Sequence, residues 1–155
     1  MAVVLVTDDD ADHRELMSLS LRRIGHEVVA AADTRTACDL LAAGGIDALL
    51  LDVRMPGESG IDLCARLRSA PETASLPIMF VTADVNDHRI RAAVEAGADD
   101  YLTKPFHRSE LATRLENLLL RRSGRSSAPA TAAMLAARHA VHRPAPAARS
   151  DLRIA

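Results

Sequence analysis

Five short apolar runs recur along the first 122 residues, and each is followed by a segment with helical spacing. The runs are AVVLV (2–6), EVVAAA (27–32), DALLLD (47–52), PIMFVT (77–82) and DYLT (100–103). They are nearly continuous rather than alternating, as strands covered on both faces of a parallel sheet require. Between and after them, apolar residues fall at helical intervals. Leu16, Leu19, Leu21 and Ile24 mark a first helix, Ala37, Leu40 and Leu41 a second, and Leu63 and Leu67 a third. Ile90, Ala93 and Val94 mark a fourth, and Leu111, Leu115, Leu118 and Leu119 a fifth. Gly25, Gly44-Gly45 and Gly97 stand where helices would end; Ser59 or Gly60 suits the start of the third, and Ser109 with Glu110 the start of the last. Five β–α units predict a doubly wound α/β domain with a five-stranded parallel sheet and right-handed crossovers.

Composition bounds the rest. The chain has 155 residues, 48% hydrophobic, enough for one packed core. No run approaches the ~18 apolar residues of a membrane span. The N-terminus passes from five apolar residues straight to Asp8, Asp9 and Asp10, unlike a secretory signal. Cys38 and Cys64 lack CxxC spacing, so a reduced, cytoplasmic protein with two core-filling cysteines is expected. The net charge of −2 divides unevenly, −6 over residues 1–122 and +4 over residues 123–155. Two parts follow: a domain at 1–122 and a basic tail rich in Ala, Arg and Pro at 123–155, expected to be disordered or partly helical over 131–142. In that tail, His139 and His142 lie one turn apart, as solvated residues or a metal pair. Of 19 basic residues, 18 are Arg and one is Lys104. A compact ammonium is not interchangeable with a planar fork.

In an open α/β sheet, ligands bind outside the carboxyl ends of the strands. Those ends carry Asp8 and Asp9, Asp52, Thr82 and, beside the fifth strand, Lys104. Gathered carboxylates repel: two charges 4 Å apart cost about 4 kcal/mol at an effective dielectric near 20. Either a proton is retained or a cation is bound, and Mg²⁺, a hard oxygen-seeking ion, is the natural answer. A carboxylate there can attack a phosphoryl group, whose oxygens a cation, an ammonium and a hydroxyl would stabilise. Plainer readings exist. Asp10 and Asp12 suit helix capping, Tyr101 suits a core, and Gly57 and Gly60 suit a turn rather than a nucleotide loop.

The stretches LVTDDDADHREL, LLLDVRMPGESGIDL, PIMFVTAD and AGADDYLTKPF, in order and at the expected spacing, resemble the receiver domain of two-component response regulators. The resemblance covers about residues 1–122 and implies a flavodoxin-like sheet of order 2-1-3-4-5. It implies Asp52 as phosphoacceptor, Asp9 as a direct Mg²⁺ ligand, Asp8 acting through water, and the backbone carbonyl of Arg54 as a further ligand. It implies Thr82 as switch hydroxyl, Lys104 as the phosphoryl-binding cation, Tyr101 as an aromatic that turns inward on activation, and a cis Lys104–Pro105 bond. Thr7, Ala11 and His13 depart from the pattern, and are expected to flank the site without supplying its chemistry. Arg54 and Asp84 are expected to pair across the mouth and set the phosphate's lifetime.

The function so implied is a phosphorylation switch, not an enzyme with a separate substrate. A histidine kinase or histidine phosphotransfer protein would supply the phosphoryl group, and an effector protein would read the face formed by the fourth helix, fifth strand and fifth helix. That face would also serve a homodimer. No membrane partner is expected. Rival readings are a transcription-linked regulator whose basic tail touches nucleic acid, a receiver-shaped scaffold that is never phosphorylated, and a flavin binder. The last is poorly served by two Phe and one Tyr.

Overall fold

A computed structural model describes residues 1–122; the tail at 123–155, with its expected helix and His139 and His142, lies outside the described residues. The elements alternate: β1 (Val3–Thr7), α1 (Ala11–Arg23), β2 (Glu27–Ala31), α2 (Thr34–Ala43), β3 (Ala48–Leu51), α3 (Gly60–Ser69), β4 (Ile78–Thr82), α4 (Asp87–Glu95), β5 (Asp100–Thr103) and α5 (Arg108–Arg122). The strands form one parallel sheet in the order β2-β1-β3-β4-β5. Register runs through the centre, with Val6 opposite Leu50 and Leu50 opposite Met79. The strand order reverses at β1 and β3, so a crevice opens between their carboxyl ends.

Alternate residues of the strands feed two cores. Leu5, Leu49, Leu51, Ile78, Phe80 and Tyr101 meet Ala37, Leu63 and Ala93 of α2, α3 and α4. Val4, Val6, Leu50, Met79 and Leu102 meet Met17 and Leu21 of α1 and Leu111, Leu115 and Leu118 of α5. Burial of each large side chain contributes about 1.5–3 kcal/mol before entropy is counted. Two-sided cover explains the unbroken apolar runs: β3 and β4 are buried at every position.

Helix ends follow local chemistry. Asp10, Asp33, Ser59 and Asn86 cap α1, α2, α3 and α4, each accepting a main-chain N–H of the first turn. Gly25, Gly44, Gly45 and Gly97 all carry the positive φ expected of them. α5 starts at Arg108, one residue before Ser109, because Glu110 N and Leu111 N both bond to His107 O.

The phase of α1 differs from the expected stripe. Met17, Ser18 and Leu21 are buried, whereas Leu16 and Leu19 are 61% and 44% exposed. Met17, Leu21 and Ile24 keep the i, i+4, i+7 interval, which leaves the other two leucines outside the stripe. Cys64 is a buried filler whose thiol burial pushes up to about 11. Cys38 differs from it: it is half-buried and accepts a contact from Arg66 Nη2 at 3.4 Å. No helix among the described residues is long and apolar enough to cross a membrane.

Candidate functional site

The two central strands deliver the carboxylates. Asp8 and Asp9 follow β1, and Asp52 follows β3, its N–H bonded to Thr7 O at 3.0 Å. The sheet ladder therefore continues into the site and fixes the height of Asp52 beside the acidic pair. Gly60, the first residue of α3, makes this possible: a Cβ built there would stand 2.0 Å from Asp52 O. Only glycine lets the helix start pass so close under the Asp52 peptide.

One carboxylate oxygen from each of Asp8, Asp9 and Asp52 lies within 4.8 Å of the others. Three carboxylates with an all-oxygen donor set suit a hard divalent cation such as Mg²⁺. Lys104, the one lysine, offsets part of that charge. Its N–H bonds to Thr82 O at 2.8 Å, continuing the β4–β5 ladder, and its ammonium donates to Asp8 Oδ2 at 2.7 Å and Asp52 Oδ2 at 3.3 Å. The Lys104–Pro105 bond is cis.

Arg54 N donates to Asp52 Oδ1 at 3.1 Å, which closes the turn after the strand. Across the mouth, Arg54 Nε lies 3.3 Å from Asp84 Oδ2 and Arg89 Nε 3.9 Å from the same oxygen. The Asp84 side chain is 5% exposed while Arg54 is 77% exposed, so the pair spans from interior to solvent. Thr82 is buried, and its hydroxyl oxygen accepts from Asp84 N at 3.2 Å. Tyr101 already points inward: it is buried against Phe80, and its hydroxyl donates to Asp84 O at 2.5 Å. Burial, then the nearby charges of Asp84 and Asp52, raise the phenol above its ordinary range. Asp10 does what a cap does, accepting from Asp12 N and His13 N, and the His13 N–H holds its carboxyl below the usual value.

The structure thus brings Asp8, Asp9, Asp52, Thr82, Lys104, Arg54 and Asp84 to one cleft of about 720 Å³, with Tyr101 behind it. It adds two residues that sequence reasoning missed. His13, expected to stand aside, has its Nδ1 3.3 Å from Lys104 Nζ. Arg89 joins Asp84 from α4. The signal for His13 was its place in the first turn after the acidic pair; Arg89 has no such mark.

A family description, the response regulator receiver domain, matches residues 4–116. The chain belongs to the response-regulator receiver family. The receiver is 43% identical over 131 residues to the response regulator MprA of Mycolicibacterium vanbaalenii, spanning 84% of this chain and 56% of that protein. It is 39% identical over 127 residues to the phosphate regulon transcriptional regulatory protein PhoB of Pseudomonas aeruginosa, spanning 81% and 56%. The chain therefore spans little more than half the length of these relatives. Among solved structures, a putative response regulator from Chloroflexus aurantiacus superposes with a TM-score of 0.74 at 42% identity, covering 77% of this chain and 98% of that one. The chemotaxis protein CheY4 of Vibrio cholerae gives 0.72 at 30% identity, covering 76% and 98%. The receiver is a two-component signalling domain rather than an enzyme in the ordinary sense, and its expected strand order is the observed one.

Proposed function

We propose that the receiver accepts a phosphoryl group on Asp52 from a phosphohistidine of a sensor kinase or phosphotransfer protein. The observation that carries this reading is the Lys104 ammonium held between Asp8 and Asp52 at the strand-order reversal, beside three carboxylate oxygens within 4.8 Å. Asp8, Asp9, Asp52 and the backbone carbonyl of Arg54 would hold Mg²⁺, which supplies charge neutralisation to the carboxylates and the phosphoryl oxygens. An Asp52 carboxylate oxygen attacks phosphorus; a P–O bond forms, the P–N bond breaks, and its electron pair remains on the donor imidazole. Lys104 meets one phosphoryl oxygen with its ammonium, and the Thr82 hydroxyl donates to another.

Output follows from the same contacts. When Thr82 turns to the phosphoryl group, its oxygen leaves Asp84 N, and the 83–86 loop that carries the Tyr101 hydroxyl bond is released. A population shift of α4, β5 and α5 then presents a changed face to an effector protein or a second copy. Residues 1–122 act as the switch, residues 123–155 are a basic segment outside it, and the setting is the cytoplasm.

Intact mass after incubation with acetyl phosphate tests the reading. The expected product is a labile single-phosphate adduct that requires Mg²⁺ and is absent in Asp52→Asn. A folded protein that gains no adduct, and binds no beryllofluoride, would be a receiver-shaped scaffold instead.

A further inference from the structure

The Lys104 ammonium has a third neighbour that the receiver chemistry does not use. His13 Nδ1 lies 3.3 Å from Nζ, completing a set with Asp8 Oδ2 at 2.7 Å and Asp52 Oδ2 at 3.3 Å. An ammonium carries three protons and no lone pair, so it donates to all three partners. His13 must then accept at Nδ1, which makes the ring neutral with its proton on Nε2.

Position gives the contact its meaning. The floor of the set is buried, with the Asp8 side chain 7% exposed, whereas the His13 side chain is 50% exposed at the rim. The ammonium is therefore suspended between acids below and an imidazole above. Asp10 caps α1 and accepts the His13 main-chain N–H at 3.1 Å, which fixes the backbone from which the ring projects; Asp10 Oδ2, 3.8 Å from Nδ1, makes no hydrogen bond to that lone pair. The ring also lines both the acidic cleft and the adjoining apolar pocket of about 480 Å³ formed by Leu16, Met17, Pro105 and Phe106.

We propose that His13 is a positioning residue for Lys104: it draws the ammonium toward the rim, where a phosphoryl oxygen arrives, and keeps it from closing fully onto Asp52, which it meets at 3.3 Å while already bonded to Asp8. The inference rests on the phosphoryl-acceptor reading above. Without the imidazole, the third proton has only water, and the stronger pull of the Asp8 and Asp52 carboxylates prevails. Lysine then competes with the divalent cation for the same oxygens, and it stands too deep to meet the incoming group.

The test compares His13→Leu, which has no acceptor, with His13→Gln, whose amide oxygen restores one. Two readouts are used on the full chain: Mg²⁺ affinity by titration without any phosphodonor, and the rate of Asp52 labelling by acetyl phosphate. His13→Leu is expected to bind Mg²⁺ several-fold more weakly and to label about tenfold more slowly, with His13→Gln close to wild type in both. Wild-type Mg²⁺ affinity in His13→Leu overturns the proposal, as does equal impairment of the two variants, which would mean that only ring bulk matters. Failure of the wild type itself to bind Mg²⁺ and to label would instead sink the phosphoryl-acceptor reading.

Discussion

The Tyr101 hydroxyl donates to the main-chain carbonyl of Asp84 at 2.5 Å, tying the fifth strand to the loop that follows the fourth. Asp84 thereby becomes a junction: its N–H reaches Thr82, its carbonyl Tyr101, and its carboxylate Arg54 and Arg89. Removing the hydroxyl in Tyr101→Phe is expected to cost about 1 kcal/mol in urea unfolding. Because the raised phenol lies above its unfolded value of 10.0, its contribution is complete below that pH and is lost as pH rises through the native value. Phenolate absorbance of the folded protein should begin at higher pH than in denaturant. Tyr101 is the one tyrosine and there is no tryptophan, so the signal has a single source. Coincident folded and unfolded titration curves would contradict the buried bond.

The Arg54–Asp84 pair lies across the mouth of the cleft. If it screens a phosphoryl group on Asp52, Arg54→Ala and Asp84→Ala should each speed dephosphorylation by about two- to fivefold, the range a partly exposed ion pair can supply. Decay of the intact-mass adduct measures this directly, and an unchanged rate in both variants would remove the role.

Gly60→Ala should be among the most damaging single-methyl substitutions in the receiver. The added carbon meets backbone, Asp52 O, rather than a yielding side-chain end. A cost of about 1–3 kcal/mol is expected, with weakened Mg²⁺ binding because Asp52 must move. Normal stability and normal metal affinity together would show that α3 shifts freely, against the geometry.

Thr7→Val is expected to stabilise. The Thr7 hydroxyl is buried and has no hydrogen-bond partner among the described residues. Replacing an unsatisfied hydroxyl with a methyl of the same shape should add about 1 kcal/mol, visible as a raised Tm. A lowered Tm would mean that the hydroxyl is satisfied after all.

His26 predicts an acid-side loss of stability. Its Nδ1 accepts Ala2 N at 3.2 Å, and burial, then the N-terminal ammonium, lower its pKa from 6.5. The unfolded chain therefore takes up the proton first, so stability is intact above 6.5 and falls as pH drops toward the native value. His26→Gln, which keeps an acceptor but cannot titrate, should flatten that part of a stability-against-pH curve.

Most of the site was legible because strand ends in this fold converge by topology. Asp8, Asp9, Asp52, Thr82 and Lys104 needed only their places after apolar runs to be put on one rim. The phase of α1 was not legible: Leu16 and Leu19 are as apolar as Leu21, and only packing against Val4, Leu50 and Leu115 decides which leucine turns inward. Likewise, no spacing rule reveals that Arg68 of α3 bonds to Gly97 O, Leu76 O and Asp99, pinning the two loops that lead into β4 and β5 at the end of the sheet opposite the site. Tyr101 reads from the sequence both as core and as switch; in the structure its ring is buried in the core and its hydroxyl bonds to the loop beside the site.

The chain has one lysine, and it sits against Asp52. Any side-chain acylation of lysine on this protein, by an enzyme or by a coupling reagent, can land only at position 104. There it erases the ammonium that faces the Asp52 carboxylate. Immobilising residues 1–155 through side-chain amines would therefore tether the receiver at the floor of its acidic cleft.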